Sequence, residues 1–302
     1  MKNKLQLIIS ICLLLIAVMI FGIYISQHTY LIDRLRNISP FIIFWLLVLY
    51  MCWFFCLSLI IKYSLRICNL TIPSSKNLLL NAYSTIVNFF LPGQGGPAIR
   101  AAYLYKKHKL RIRLYIFVTL IYYLVYTVVN LVLALGWSSW RWLLIPLIII
   151  ISLISIFGGR KYISKFKIKP AVLNLNPINL FYLSAVTLLQ IFIIMVINFV
   201  ELHSINSGIS ISQIATYTGI ANLSIFVALT PGAIGIREGF LIFGRRLHHI
   251  SVTNIISASI IDRSIFLIVL VILLCYVVAT HAKTKLYTEN SPTNPKIKSE
   301  DL

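Results

Sequence analysis

Five ionisable side chains lie in apolar surroundings and are the first candidates for chemistry: Arg100, Arg237, Glu238, Asp262 and Arg263. A charge at the centre of a membrane-embedded helix costs about 2.5–3.5 kcal/mol or more, so its retention points to a function. Arg100 and Arg237 each follow a break in an apolar stretch, Pro92-Gly93-Gln94-Gly95-Gly96-Pro97 and Pro231-Gly232-Ala233-Ile234-Gly235. Proline removes backbone donors and glycine relaxes backbone restrictions, so helices stop there. A helix that restarts after a break presents free N–H groups and the positive end of its dipole to an anion. A guanidinium beside it can hold two phosphate oxygens at once. Arg100 and Arg237, with Gly93, Gly96, Gly232 and Gly235 as backbone, therefore form a candidate phosphate cradle.

Glu238, Asp262 and Arg263 form a candidate supporting charge network. Asp262 and Arg263 are adjacent and face different sides of a helix, so each needs a partner elsewhere. Glu238 with Arg263 is the simplest pairing. A plainer reading stays open, in which the arginines snorkel to the membrane surface and Glu238 neutralises a neighbour.

Other chemistry has little footing. His248-His249 lacks the acidic and spaced-histidine ligands of a zinc site. Cys12, Cys52, Cys56, Cys68 and Cys275 form no CxxC pair and read as small core residues. No nucleotide-binding loop, GxSxG or HExxH occurs, so no cofactor, metal or catalytic residue is assigned. Tyr122, Tyr123 and Tyr126 are candidates to line a path, and the lone amides Asn88 and Gln190 to hydrogen-bond between helices. Trp137, Trp140 and Trp142 fit an interfacial aromatic belt.

The elements that must position these groups follow from composition. The chain has 302 residues, 59% hydrophobic and 11% charged, with a mean hydropathy of +0.92. Soluble domains carry about a quarter charged residues, so a soluble globular fold is excluded. Runs of roughly 20 apolar residues are long enough to cross a ~30 Å hydrocarbon core as helices. The expected fold is an all-α polytopic membrane protein of about six full spans plus two broken or re-entrant hairpins. The spans are Leu5–Ile25, Phe41–Ile61, Leu114–Leu135, a short Trp142–Phe157 containing Pro146, Leu180–Val200, and one within Ile250–Val278. Leu5–Ile25 lacks an Ala-x-Ala exit and reads as a retained anchor. One transmembrane domain is expected over 1–280, with a basic, disordered cytoplasmic tail over 281–302.

The net charge of +20 has a topological explanation. Basic residues cluster at Lys2 and Lys4, at Lys62 to Lys76, at Lys106 to Arg113, at Arg160 to Lys169 and at Lys283 to Lys298. The positive-inside rule places these clusters in the cytoplasm, with both termini, and Glu201–Ile211, free of Lys and Arg, outside. Nucleic acid is not needed as a partner. Asn77–Tyr105 begins and ends beside cytoplasmic clusters, and neither of its halves is long enough to span, so it reads as a re-entrant hairpin.

The second break repeats the first. Pro231, Gly232 and Gly235 follow Pro92, Gly93 and Gly96 at a constant offset. Three spans separate the copies, and an odd number of crossings inverts a repeat in the membrane, the layout of many secondary transporters. A competing topology lets Ile211–Thr230 cross once, but it strands Lys283 and Lys285 outside.

The stretch Asn88-Phe-Phe-Leu-Pro-Gly-Gln-Gly-Gly with Arg100, and Leu229-Thr-Pro-Gly-Ala-Ile-Gly-Ile-Arg-Glu238 followed by Asp262-Arg263, resembles the flippase-like membrane module of lysylphosphatidylglycerol synthases and its stand-alone relatives. The resemblance covers Leu5 to Ala279. It implies a lipid flippase or transporter in a bacterial inner membrane, acting on a phosphate-bearing lipid or a lipid-linked glycan headgroup. The implied partners are anionic phospholipid or polyprenyl-phosphate-linked lipid, and a separate synthase or glycosyltransferase.

Two departures bear on mechanism. Pro97 stands where the family usually has an acidic residue, and Ile121-Tyr122-Tyr123 where it often has acidic and basic ones. The aminoacyl-transferase domain of fused members is expected to be absent, and lysyl transfer with it. Two rival functions remain: a membrane-embedded transferase on lipid-linked sugars, using Glu238 or Asp262 as acid or base, and a non-catalytic partner of a separate synthase.

Overall fold

A computed structural model describes residues 39–90, 95–136, 176–227, 233 and 235–289, with side chains to 280. The expected spans Leu5–Ile25 and Trp142–Phe157, and the cluster Arg160 to Lys169, lie outside the described residues. Helices in chain order are α1 (Pro40–Ile67), α2 (Ser74–Phe90), α3 (Gly95–His108), α4 (Ile112–Leu135), α5 (Pro177–Ile205), α6 (Ile211–Leu223), α7 (Ile236–Phe243), α8 (Arg245–His248) and α9 (Val252–Glu289). A 3₁₀ turn, Ser224–Val227, extends α6.

Four of these helices, α1, α4, α5 and the Val252–Thr280 part of α9, are long and apolar enough to cross a membrane. Pro40 and Pro177 start α1 and α5, where the lost N–H is one that a helix start leaves unpaired anyway. The Asn176 side chain caps α5 by accepting from the Ile178 N–H at 3.1 Å. Asn69, at φ 53°, turns the chain after α1. Phe44, Phe181 and Phe192 are exposed on the outside of the bundle, where lipid is the solvent.

Two boundaries differ from expectation. α5 continues past Val200 to Ile205, so Glu201 belongs to the helix and is buried rather than sitting in an external loop. The apolar packing of Leu202 carries the helix on. Likewise α9 is helical through Glu289, so the tail expected from 281 begins as helix.

The break after α2 has the expected proportions. α2 has 17 residues and α3 has 14, which at 1.5 Å per residue is about 25 and 21 Å, short of a full crossing. They pack against each other as a hairpin. A Cβ on Gly96 would lie 2.6 Å from the Ser84 carbonyl oxygen, so glycine is what lets α3 restart against α2.

Polar side chains lock the helices together inside the apolar core. Asn77 and Asn81 on α2 donate to the Ser58 and Phe54 carbonyls of α1, at 2.7 and 2.9 Å. Asn198 on α5 donates to Thr218 on α6 at 2.9 Å, and Asn222 on α6 to Asn130 on α4 at 2.8 Å. The last contact depends on Gly219, where a Cβ would come within 2.5 Å of the Ala134 N and the Asn130 O.

Gly219→Ala is therefore expected to push α6 off α4 and to lower stability by about 1–3 kcal/mol, as overpacking does. Thermal unfolding in detergent reads this against Gly239→Ala, where a Cβ meets nothing within 4 Å. Equal melting of the two variants would show that the interface yields freely.

Candidate functional site: a polar cavity in the bundle

The site begins at the second break. Gly235 sits at φ +81°, a conformation open to glycine, and opens α7. Glu238, three residues on, accepts from the Gly235 N–H through Oε2 at 2.7 Å and so caps its own helix. The adjacent Arg237 is carried toward α9 and α5. It forms an ion pair with Asp262, and its Nη2 lies 3.4 Å from the Asn198 Oδ1.

Asp262 is doubly engaged. Tyr50 of α1 donates to its Oδ1, and Arg237 holds its Oδ2. Arg263, the next residue on α9, faces Glu238 with Nη2 and Oε1 3.6 Å apart, the pairing expected from the sequence. The four charges thus resolve into two neutralised pairs, and each acid also serves a second donor. Packing explains this placement: the membrane-crossing part of α9 is more enclosed by protein than those of the other three spans.

Arg100 is different. It reaches inward from α3, its Nε is buried without a hydrogen-bond partner, and among the described residues no ion pair reaches it. Tyr122 and Tyr123 on α4 lie within its electrostatic range. Tyr122 donates to Gln190 on α5 at 3.2 Å, so this amide does link helices. Asn88 accepts from the Gly96 N–H at 3.3 Å and ties the two arms of the first hairpin.

These groups surround a cavity of about 280 Å³ where all three apolar clusters of the core meet. Arg100, Arg237 and Arg263 line it against one lining carboxylate, Asp262, and the three tyrosines Tyr122, Tyr123 and Tyr126 contribute to its wall. Pro97 and Ala233, one from each break, reach it as well. Such a volume lies at the small end of ligand pockets, about 300–1,000 Å³, and suits a headgroup rather than a whole lipid. With Arg237 paired to Asp262 and Arg263 to Glu238, Arg100 is the lining cation left without an ion pair among the described residues, and it gives the wall a positive charge suited to an anion.

The arrangement refines the expected cradle. Gly96 and Gly235 do not line the cavity, and both N–H groups are already held, by Asn88 and Glu238. Their part here is conformational, and the charged groups that reach the cavity wall from these elements are the guanidinium groups of Arg100 and Arg237. Gly93 and Gly232 lie outside the described residues. Arg237 already has an anionic partner in Asp262, whereas Arg100 has none among the described residues. His248 is locked in a structural role: its Nε2 meets the Leu241 carbonyl at 2.9 Å and its Nδ1 accepts from the Ile250 N–H at 3.0 Å. Burial holds this imidazole below its ordinary range.

Tyr50, Asn198 and Glu201 belong to the same polar cluster and were not singled out by sequence. Asn198 and Glu201, three residues apart in one helix, share a face. That spacing was the available signal, but at the edge of a polar loop Glu201 reads as solvent-exposed.

Fold and site together define a multi-pass helical membrane protein with a positively charged cavity beside two interrupted helices. The chain belongs to the family described as the lysylphosphatidylglycerol synthase TM region, which its residues 5–274 match. No curated protein and no solved structure matches it.

Proposed function

We propose that the protein is a lipid transporter of the flippase kind, which moves the phosphate-bearing headgroup of an anionic phospholipid or polyprenyl-phosphate-linked lipid across a bacterial inner membrane. Arg100 carries this reading: it is a cation turned into a polar cavity with no carboxylate to neutralise it among the described residues. A phosphate would supply the missing charge through bidentate contact. The barrier to headgroup crossing is the desolvation of charge in hydrocarbon, and a polar cavity lowers it while the tails stay in lipid.

The repeated break, the odd number of intervening spans and the short packed arms of the first hairpin support an inverted repeat of two re-entrant hairpins within about six spans, both termini cytoplasmic. A transferase role is less well supported, because both candidate acid–base groups are engaged. Glu238 caps α7, and Asp262 is held by Arg237 and Tyr50.

The test uses purified protein in liposomes containing a headgroup-labelled phosphatidylglycerol and a membrane-impermeant quencher added outside. Quenching of the inner-leaflet label faster than in protein-free vesicles is expected. A new covalent lipid product would indicate an enzyme instead, and neither result would leave a non-catalytic partner of a separate synthase.

A further inference from the structure

Glu201 is only 1% exposed, and its Oε1 has no hydrogen-bond partner among the described residues. Charged and titratable groups face it from four elements: Tyr50 from α1, Tyr217 from α6, Arg237 from α7, and Asp262 and Arg263 from α9. On its own helix, Asn198 one turn earlier touches Arg237. The two cations are already committed, Arg237 to Asp262 and Arg263 to Glu238. Among the described residues neither cation forms an ion pair with Glu201.

An ionised carboxylate buried without a partner costs several kcal/mol, and the ordinary way out is to take up a proton. A metal ion is a poorer occupant. Calcium takes six to eight oxygen ligands, and no group of three His, Cys, Asp or Glu able to hold a metal occurs among the described residues.

We propose that Glu201 is a buried proton-binding site, a carboxylic acid that exchanges one proton with water and couples that proton to anion binding at Arg100 and Arg237. Proton uptake forms one O–H bond on the Glu201 carboxyl and breaks none in the protein. A phosphate brought beside Arg237 adds negative charge to the cluster and favours the protonated acid. By reciprocity, the proton strengthens phosphate binding. The coupling rests on the part of the proposed function that makes Arg100 and Arg237 phosphate ligands, whereas the proton site stands on the burial of Glu201.

Infrared spectroscopy of the purified full chain tests the site without any transport assay. At neutral pH the carbonyl stretch of a protonated carboxyl should be present, vanish in Glu201→Gln, and shift but persist in Glu201→Asp. Absence of the band, or its persistence in Glu201→Gln, would overturn the proposal. Glu201→Gln keeps a neutral group of the same shape and should melt like the parent, while Glu201→Asp covers the case in which it does not fold.

Retention of phosphatidylglycerol in mixed micelles tests the coupling. Affinity should fall as pH rises through the titration of the site, by at most about tenfold per pH unit for one linked proton. That slope should disappear in Glu201→Gln. An unchanged slope in that variant would overturn the coupling while leaving the infrared result to judge the site, and a failure of lipid transport alone would touch neither.

Discussion

Arg100→Gln is expected to lower headgroup translocation about 10- to 100-fold with little loss of stability. The substitution removes charge-assisted hydrogen bonds to a phosphate, worth about 1.5–3 kcal/mol, and each 1.4 kcal/mol is a factor of ten. Arg100→Lys should remain impaired, because an ammonium keeps the charge but lacks the planar fork. Stability behaves differently from activity here: Arg100 has no ion pair among the described residues, so its removal orphans no carboxylate. Melting in detergent should stay level or rise while translocation in liposomes falls. Parental translocation by a well-folded Arg100→Gln protein would mean that the guanidinium snorkels to the surface and does not serve the cavity.

The opposite pattern is expected at Asp262. Asp262→Ala leaves Arg237 without its counter-ion and the Tyr50 hydroxyl without its acceptor. Breaking one side of a buried pair costs about 3–5 kcal/mol, because the remaining charge stays desolvated and unpaired. A large drop in melting temperature and in protein level should follow, and translocation should fall with it. The double variant Arg237→Gln with Asp262→Asn removes both charges and should recover much of the stability. It should not recover translocation if Arg237 receives the headgroup. Recovery of both would assign the pair to architecture alone, and an Asp262→Ala protein as stable as the parent would show that the pair contributes little to the fold.

The two residues also separate what local sequence can say from what it cannot. Each arginine follows a Pro-Gly break and directly succeeds an isoleucine, and both read alike as phosphate ligands. Their difference, one paired and one not, comes from Asp262, which α9 brings to Arg237 from 25 residues away. Glu238 facing Arg263 was legible because few charges were available to choose from.

Hydropathy alone determined that this chain is a multi-pass helical membrane protein, because lipid offers backbone groups no hydrogen bonds and each crossing helix must be about 20 apolar residues long. The breaks at Pro92 and Pro231 were equally local, since the stereochemistry of proline and glycine acts within a few residues. Tertiary structure decided the rest. Tyr50 meets Asp262 across 212 residues of sequence, and Asn222 meets Asn130 across 92. Gly219 looks like any helix glycine until α4 lies against it. Glu201 has the composition of a loop edge but the position of a core residue, because burial depends on which helices surround a side chain and not on the residues beside it in the chain.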